Sequence, residues 1–358
     1  MKIVTIIGAR PQFVKAAAVS RAIANVPDLT EVLVHTGQHF DANMSDIFFE
    51  EMEIPTPDYH LNINSLSHGA MTGRMLEEIE GVLMKEQPDC VMVYGDTNST
   101  LAGALAAKKM HIKVAHVEAG LRSFNIRMPE EVNRILTDRI SDYLFCPTAA
   151  AVLNLEKEGF GHFPAQVSLV GDVMQDAAMF YLPKSNKLSN VLNTLYLQKS
   201  SYILVTIHRA ENTDEPERLQ AIVEALNMMS NDFDIVFPIH PRTRQKLTEN
   251  GLSSRIQVID PVGYLDMIQL INNSRLVITD SGGLQKEAYF FKKFCITVRE
   301  ETEWVELVEL GYNRLASPTK ASLLDAVNYF LSKEFSHGVE LYGGGHASEK
   351  ICEILNQK

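Results

Sequence analysis

Arg275-Leu276-Val277-Ile278-Thr279-Asp280-Ser281-Gly282-Gly283-Leu284-Gln285-Lys286-Glu287 decides how this chain is read. An apolar run stops at a small polar turn with two glycines, and a helix-prone stretch ending in a carboxylate follows. Glycines let backbone amides approach an anion closely, and a helix N-terminus adds partial positive charge. Glu287 falls about one to two turns into that helix, where a carboxylate accepts hydrogen bonds from a sugar diol. The turn reads as a seat for the phosphates and ribose of a nucleotide. An ordinary strand-to-helix connection has the same outline.

The strand–turn–helix pattern recurs along the chain. Short β-branched runs lie near residues 2–7, 31–35, 90–94, 113–117, 143–146 and 167–170, then near 202–207, 234–239, 256–259, 275–279 and 294–298. Amphipathic segments such as 71–83 separate them. This alternation predicts an α/β fold of parallel sheets covered by helices on both faces, in two doubly wound Rossmann-like domains. A chain of 358 residues exceeds one ordinary core, which also points to two domains. The polar stretch 183–190 is the expected linker or surface excursion near their boundary.

Bulk properties narrow the function. Hydrophobic residues make up 46% and charged residues 22%, as in a globular protein rather than a disordered one. A net charge of -12 argues against nucleic acid or an anionic membrane surface as partner. The opening strand-like segment 2–7 is too short for a signal peptide, and no apolar stretch approaches the ~18 residues of a membrane span. Cys90, Cys146, Cys295 and Cys352 lack metal-ligand spacing and read as reduced core thiols of a cytoplasmic protein. No metal site is expected.

Ligands of open α/β sheets bind beyond the carboxyl ends of the strands. Polar and charged residues recur there: Gly8-Ala9-Arg10-Pro11-Gln12-Phe13-Val14-Lys15, His35-Thr36-Gly37-Gln38-His39, Gly95-Asp96-Thr97, Glu118-Ala119-Gly120-Leu121-Arg122, His208-Arg209-Ala210-Glu211-Asn212, His240-Pro241-Arg242-Thr243-Arg244 and Arg299-Glu300-Glu301-Thr302-Glu303. Together they predict an active site at the interface of the two domains. Acids cluster in the first half as Asp96, Glu118, Glu130 and Glu131. Groups suited to a nucleotide dominate the second: His208, Arg209, His240, Arg242, Arg244 and the Ser281-Gly282-Gly283 turn. That division suits a nucleotide-activated substrate on which carboxylates do proton chemistry. Structural readings stand beside these. Glu130 and Glu131 follow Pro129 and fit a first helical turn, Glu118 a satisfied buried carboxylate, and Asp96 a helix N-cap.

These motifs, in this order, resemble the non-hydrolysing UDP-N-acetylglucosamine 2-epimerase family over essentially the full length. The matching pieces are Gly8-Ala9-Arg10-Pro11 with Lys15, Thr36-Gly37-Gln38-His39, Gly95-Asp96-Thr97, Val117-Glu118-Ala119-Gly120-Leu121-Arg122, Pro129-Glu130-Glu131-Val132-Asn133-Arg134, His208-Arg209 with Glu211-Asn212, His240-Pro241, and Thr279-Asp280-Ser281-Gly282-Gly283 with Gln285 and Glu287. The resemblance implies the two-domain glycosyltransferase B type of fold. Residues 1–172 would form the N-terminal domain and 173–339 the UDP-binding domain, with a last helix at about 340–358 packing back on the first. It implies C2 inversion without metal or cofactor, by elimination of UDP to a glycal and re-addition. Asp96, Glu118 and Glu130 match the family's proposed acid/base residues, joined here by His208. Arg10, Lys15, Arg134 and His208 would stabilise the leaving pyrophosphate or orient the acids. Arg209 and His240 fall with the UDP-binding groups. Ser281, Gly282 and Gly283 match the phosphate-binding turn, and Glu287 the ribose carboxylate. Thr36-Gly37-Gln38-His39 lies where members bind an activating sugar nucleotide. A homodimer is implied on the same basis.

Departures from the commoner family pattern bear on the sugar. The usual R-P-E-A-I-K is Arg10-Pro11-Gln12-Phe13-Val14-Lys15, and T-E-R-P-E is Thr302-Glu303-Trp304-Val305-Glu306. The usual Y-G-D-G-K-A is Tyr342-Gly343-Gly344-Gly345-His346-Ala347. These changes resemble the branch acting on UDP-2,3-diacetamido-2,3-dideoxy-D-glucuronate for surface polysaccharide. Its uronate carboxylate would suit an arginine fork, so Arg127, Arg242 and Arg244, with Trp304, are the expected sugar-recognition residues. UDP-N-acetylglucosamine is the alternative substrate. A glycosyltransferase of the same fold and a non-catalytic sugar-nucleotide sensor are the other function classes, and neither would exchange the C2 proton with solvent.

Overall fold

The computed structural model describes residues 1–38, 56–251, 256–336 and 339–357, without the Arg10 side chain. The chain divides into two compact units, residues 1–179 with 340–358, and residues 180–339.

The first unit is built on strands β1 (Lys2–Ile7), β2 (Thr30–His35), β3 (Tyr59–His60), β4 (Cys90–Tyr94), β5 (Lys113–Val117), β6 (Tyr143–Cys146) and β7 (Gln166–Leu169). They form one parallel sheet in the order β3-β2-β1-β4-β5-β6-β7. Val4, Ile6, Val91 and Val93 of the central strands pack against Met75, Ile79 and the alanines of the helix Asn98–Lys109. Small residues let that helix lie close, and a side chain at Gly103 would press on Ile6 and Val93. The last helix, Ala347–Asn356, also belongs to this unit. The Asp176 carboxylate accepts from the Ala347 and Ser348 amides at 3.1 and 2.6 Å, satisfying two of the N–H groups a helix start leaves open.

The second unit repeats the plan with β8 (Tyr202–Thr206), β9 (Asp234–Pro238), β10 (Gln257–Ile259), β11 (Leu276–Thr279), β12 (Cys295–Thr297) and β13 (Asn313–Leu315). Their order is β10-β9-β8-β11-β12-β13, again parallel. Two doubly wound sheets are what the alternation predicts. The eleven expected runs fall on strands. β3 and β13 escape the pattern because Tyr59–His60 is two residues long and Asn313-Arg314-Leu315 has no apolar run. In each sheet the strand order reverses direction once, between β1 and β4 and between β8 and β11. Such switch points open a crevice at the strand ends where ligands settle.

The stretch 183–190, expected as a linker or surface excursion, lies close to the boundary and is mostly exposed, but it is helical as far as Leu188. Val173–Leu188 is one helix with Pro183 inside it, and the chain passes from the first unit to the second within that helix. A proline there lacks an N–H and leaves the carbonyl four residues back, at Met179, without its helical partner. Polarity of this stretch reflects an exposed helical face rather than a loop. Among the described residues no helix is long and apolar enough to cross a membrane. All four cysteines are buried and unpaired, and burial pushes the Cys90, Cys295 and Cys352 thiols up to about 12.

Candidate active site

At the first switch point, Gln12 ties the end of β1 to the end of β4. Its side-chain oxygen accepts from the Gly8 and Ala9 amides at 2.8 and 2.9 Å. Its nitrogen donates to the Tyr94 carbonyl at 2.7 Å and to the Thr97 and Thr100 hydroxyls at 3.0 Å. A glutamate here would keep the acceptor half and lose the donor half, so the departure from the family pattern has a physical consequence. Thr97 is the N-cap of the helix Asn98–Lys109 and accepts from the Thr100 amide. The N-cap reading of Asp96 is therefore set aside, and its carboxylate is used elsewhere.

Asp96 pairs with Arg134, and Arg134 pairs with Glu131 one turn earlier on the helix Pro129–Ile140. Glu131 also accepts from the Ser123 and Phe124 amides at 3.0 and 2.9 Å, so it is buried framework for the loop ahead of that helix. Asn133 holds the Asp96 carbonyl at 2.9 Å. Glu118, just past β5, pairs with Lys15 from the helix Arg10–Ala24. Glu118 has a φ of +73°, a left-handed conformation that costs a non-glycine residue about 1 to 2 kcal/mol. Gly95, at a φ of +62°, leaves the space above this pair, since a Cβ there would lie 3.3 Å from Lys15 Nζ and 3.4 Å from a Glu118 oxygen. Lys15, Asp96, Glu130, Gln38, His68 and Asn133 line one pocket of about 190 Å³. Glu130 is exposed at its rim and Arg127 is exposed in the turn before the helix. Three expected acids thus meet two expected cations within one unit. The Arg10 side chain and His39 lie outside the described residues.

At the second switch point the organiser is Asp280, fully buried after β11. It accepts from the His208 and Arg209 amides at 3.1 and 3.0 Å and from the Asn212 side chain at 3.1 Å. His208 Nδ1 stands 3.4 Å from the same carboxylate, with the imidazole half exposed. Ser281 takes the N-cap position of the helix Gly282–Phe290. A Cβ at Gly282 would come within 2.7 Å of a Glu303 carboxylate oxygen, which would have to move, whereas Gly283 faces open space. Glu287 is buried in the same helix. The Ser281 amide donates to the Thr279 hydroxyl at 2.9 Å, and Gly282 and Gly283 begin the helix, where first-turn N–H groups lack intrahelical partners.

The other expected residues divide. His240 caps the helix Pro241–Glu249, its Nδ1 accepting from the Arg242 amide at 3.2 Å. Arg242 pairs with Asp214 at 2.5 Å and Arg244 with Asp260 at 2.7 Å, both at exposed positions where such pairs contribute little. Trp304 is buried, with the Lys286 ammonium 3.9 Å from its ring centroid. Gln12, Glu131 and Asp280 carry more of the architecture than their motifs announced. Gln12 had a signal, the substitution inside a motif; Glu131 and Asp280 had only their place beside functional candidates. Among the described residues no cluster of three or more metal-ligating side chains is found.

Comparison with known proteins follows the geometry. A family model described as UDP-N-acetylglucosamine 2-epimerase matches residues 21–356. The chain is 56% identical over 356 residues to the UDP-2,3-diacetamido-2,3-dideoxy-D-glucuronate 2-epimerase of Pseudomonas aeruginosa, covering 99% of both chains. It is 34% identical to the UDP-N-acetylglucosamine 2-epimerase of Escherichia coli, covering 99% of this chain and 98% of the other. The crystal structure of the Methanocaldococcus jannaschii UDP-GlcNAc 2-epimerase in complex with UDP-GlcNAc and UDP matches with a TM-score of 0.91 and 45% identity, over 100% of each chain. With two doubly wound sheets, acids paired to cations past the strand ends of one and a glycine-rich helix start past a strand of the other, this chain belongs to the UDP-N-acetylglucosamine 2-epimerase family.

Proposed function

We propose that this protein inverts C2 of UDP-2,3-diacetamido-2,3-dideoxy-D-glucuronate, giving the mannuronate epimer for surface polysaccharide such as O-antigen, as a cytoplasmic homodimer. The observation that carries the chemistry is the pairing of Asp96 with Arg134 and of Glu118 with Lys15 at adjacent strand ends. Two carboxylates, each held by a cation, suit removal of a proton from one face of C2 and its return to the other. As the C2–H bond breaks, its electron pair forms the C1=C2 bond of a glycal, and UDP leaves with the electrons of the C1–O bond. Re-addition of UDP to C1 and of a proton to C2 reverses both changes. A sugar C2 proton is weakly acidic, so the departing pyrophosphate must share the work. The Ser281-Gly282-Gly283 helix start, with His208, Arg209 and His240 on the neighbouring strand ends, would take up its charge, and Glu287 the ribose. Lys15, Arg134 and Arg10 would steady the acids.

The choice of sugar rests on the 56% identity to the Pseudomonas aeruginosa enzyme. Arg127, exposed two residues ahead of Pro129 and Glu130, which line the pocket, is our candidate for the uronate carboxylate. Arg242 and Arg244 are held by Asp214 and Asp260 at exposed positions, in pairs weak enough to be exchanged for it. UDP-N-acetylglucosamine is the second reading, favoured by the 45% identity to an enzyme crystallised with that nucleotide sugar. Incubating the protein with each UDP-sugar in deuterated water separates the readings. Deuterium at C2 of the uronate and its epimer is expected, and faster turnover of the plain sugar would sink the assignment.

A further inference from the structure

His116 and Asp138 are fully buried, lie outside the pocket, and are not used by the chemistry above. Both touch the two turns that carry the acids. His116, on β5, has its Nε2 2.7 Å from the Gly95 carbonyl and its Nδ1 2.6 Å from Asp138 Oδ1. Asp138, on the helix Pro129–Ile140, has its other oxygen 3.1 Å from the Gly120 amide. That oxygen also receives Arg122 Nη1 at 2.7 Å, and Arg122 is gripped bidentately by Glu158 at 2.7 and 2.8 Å. Gly95 immediately precedes Asp96, and Gly120 follows Glu118 by two residues.

From this connectivity we propose that His116 and Asp138 are positioning residues, a buried strut that fixes Asp96 and Glu118 relative to each other. The proposal rests on the epimerase reading of the site. Three features make the strut necessary. Gly95, Glu118 and Gly120 all have positive φ, at +62°, +73° and +80°, so these turns depart from the conformations most residues favour. Backbone bonds anchor them on one side only: Gly95 N donates to the Val117 carbonyl at 3.0 Å, and Glu118 N and Ala119 N to the Phe145 carbonyl at 3.1 Å. The His116–Asp138 pair supplies the restraint from within, joining a carbonyl of one turn to an amide of the other. Burial alone would raise the Asp138 carboxyl, but His116 and Arg122 beside it hold it below the ordinary carboxylate range. A buried group with an acceptor or donor at each polar atom has one orientation, and displacing a catalytic group by about 1 Å can cost on the order of 100-fold in rate.

The test compares His116→Gln and Asp138→Asn with Val114→Ala, a core change on the same strand that touches neither turn. Turnover and C2 deuterium incorporation are measured on the UDP-uronate, with UDP affinity and thermal stability alongside. The strut predicts that kcat and C2 exchange fall together by about tenfold or more in both polar variants, while KM and UDP affinity stay within about twofold. Val114→Ala, at comparable loss of stability, keeps its kcat. Polar variants with kcat within about threefold of wild type, or a Val114→Ala enzyme that loses kcat equally, overturn the proposal. If His116→Gln does not fold, Asp138→Asn decides by the same criteria. A wild-type protein that exchanges no C2 proton overturns the epimerase reading and this proposal with it, an outcome distinct from normal exchange in the variants.

Discussion

The Lys15 ammonium lies against the Glu118 carboxylate, and a Cβ on Gly95 would press on the pair, 3.3 Å from the ammonium and 3.4 Å from the carboxylate. The side chains of Lys15 and Glu118 are only 11% and 9% exposed, so each charge depends on the other. Glu118→Gln removes the acid and strands a nearly buried lysine. Turnover is expected to fall by roughly 100-fold or more, the usual share of a general acid or base, with stability lower by about 3 kcal/mol. Steady-state kinetics and a denaturant titration check the two halves separately.

Gly95→Ala tests the space itself. A Cβ would sit 3.3 Å from Lys15 Nζ, and the φ of +62° disfavours any side chain. The variant is expected to lose about 1 to 3 kcal/mol of stability and to fall in kcat more than in KM. Unchanged kcat would mean that the pair tolerates displacement.

Asp280 predicts a different signature. Replacing it by Asn keeps the size but weakens the hold on the His208 and Arg209 amides. Charge-assisted bonds of this kind contribute about 1.5 to 3 kcal/mol, so UDP affinity should drop about tenfold or more if the loop seats UDP. Calorimetric titration with UDP alone reads this without turnover.

His35 makes the first unit sensitive to acid. Burial, with His60 beside it, lowers its imidazole from 6.5 to about 4. The unfolded chain therefore binds an extra proton between those two values, and stability falls as pH drops through that window. The loss is on the order of 3 kcal/mol at most. His35→Phe, which keeps the ring against Phe13, should flatten the slope of stability against pH between about 6.5 and 4. An unchanged slope would assign the acid sensitivity to another group.

The proposed role of Arg127 is tested by comparing the two sugars. Arg127→Ala should raise KM for the diacetamido-uronate by about tenfold and leave the plain N-acetylglucosamine nucleotide unaffected. Equal effects on both sugars would remove Arg127 from recognition of the carboxylate.

Much of this architecture was legible in the chain. Alternating β-branched runs and amphipathic stretches predict both sheets because parallel strands buried on both faces must be apolar throughout, as Cys90–Tyr94 is. The strand ends were legible because residues such as Asp96 and His208 break that apolarity at regular places. Illegible were features fixed by three-dimensional pairing. Nothing local tells that Glu131 is consumed by its own loop while Glu130 stays exposed, because a first helical turn accepts either. Trp304 stands where the family pattern has an arginine, and no local feature tells that it is buried with the Lys286 ammonium over its ring. The stretch 183–190 looked like a linker because polar composition marks loops and exposed helical faces alike.

The central claim is that the paired acids move a proton at C2. The most direct test is to incubate the protein with UDP-2,3-diacetamido-2,3-dideoxy-D-glucuronate, and separately with UDP-N-acetylglucosamine, in deuterated water without any acceptor. The account predicts deuterium at C2 of both the recovered uronate and its epimer, formed faster than any product from the plain sugar. Absence of deuterium at C2 of both the uronate and its epimer would contradict it.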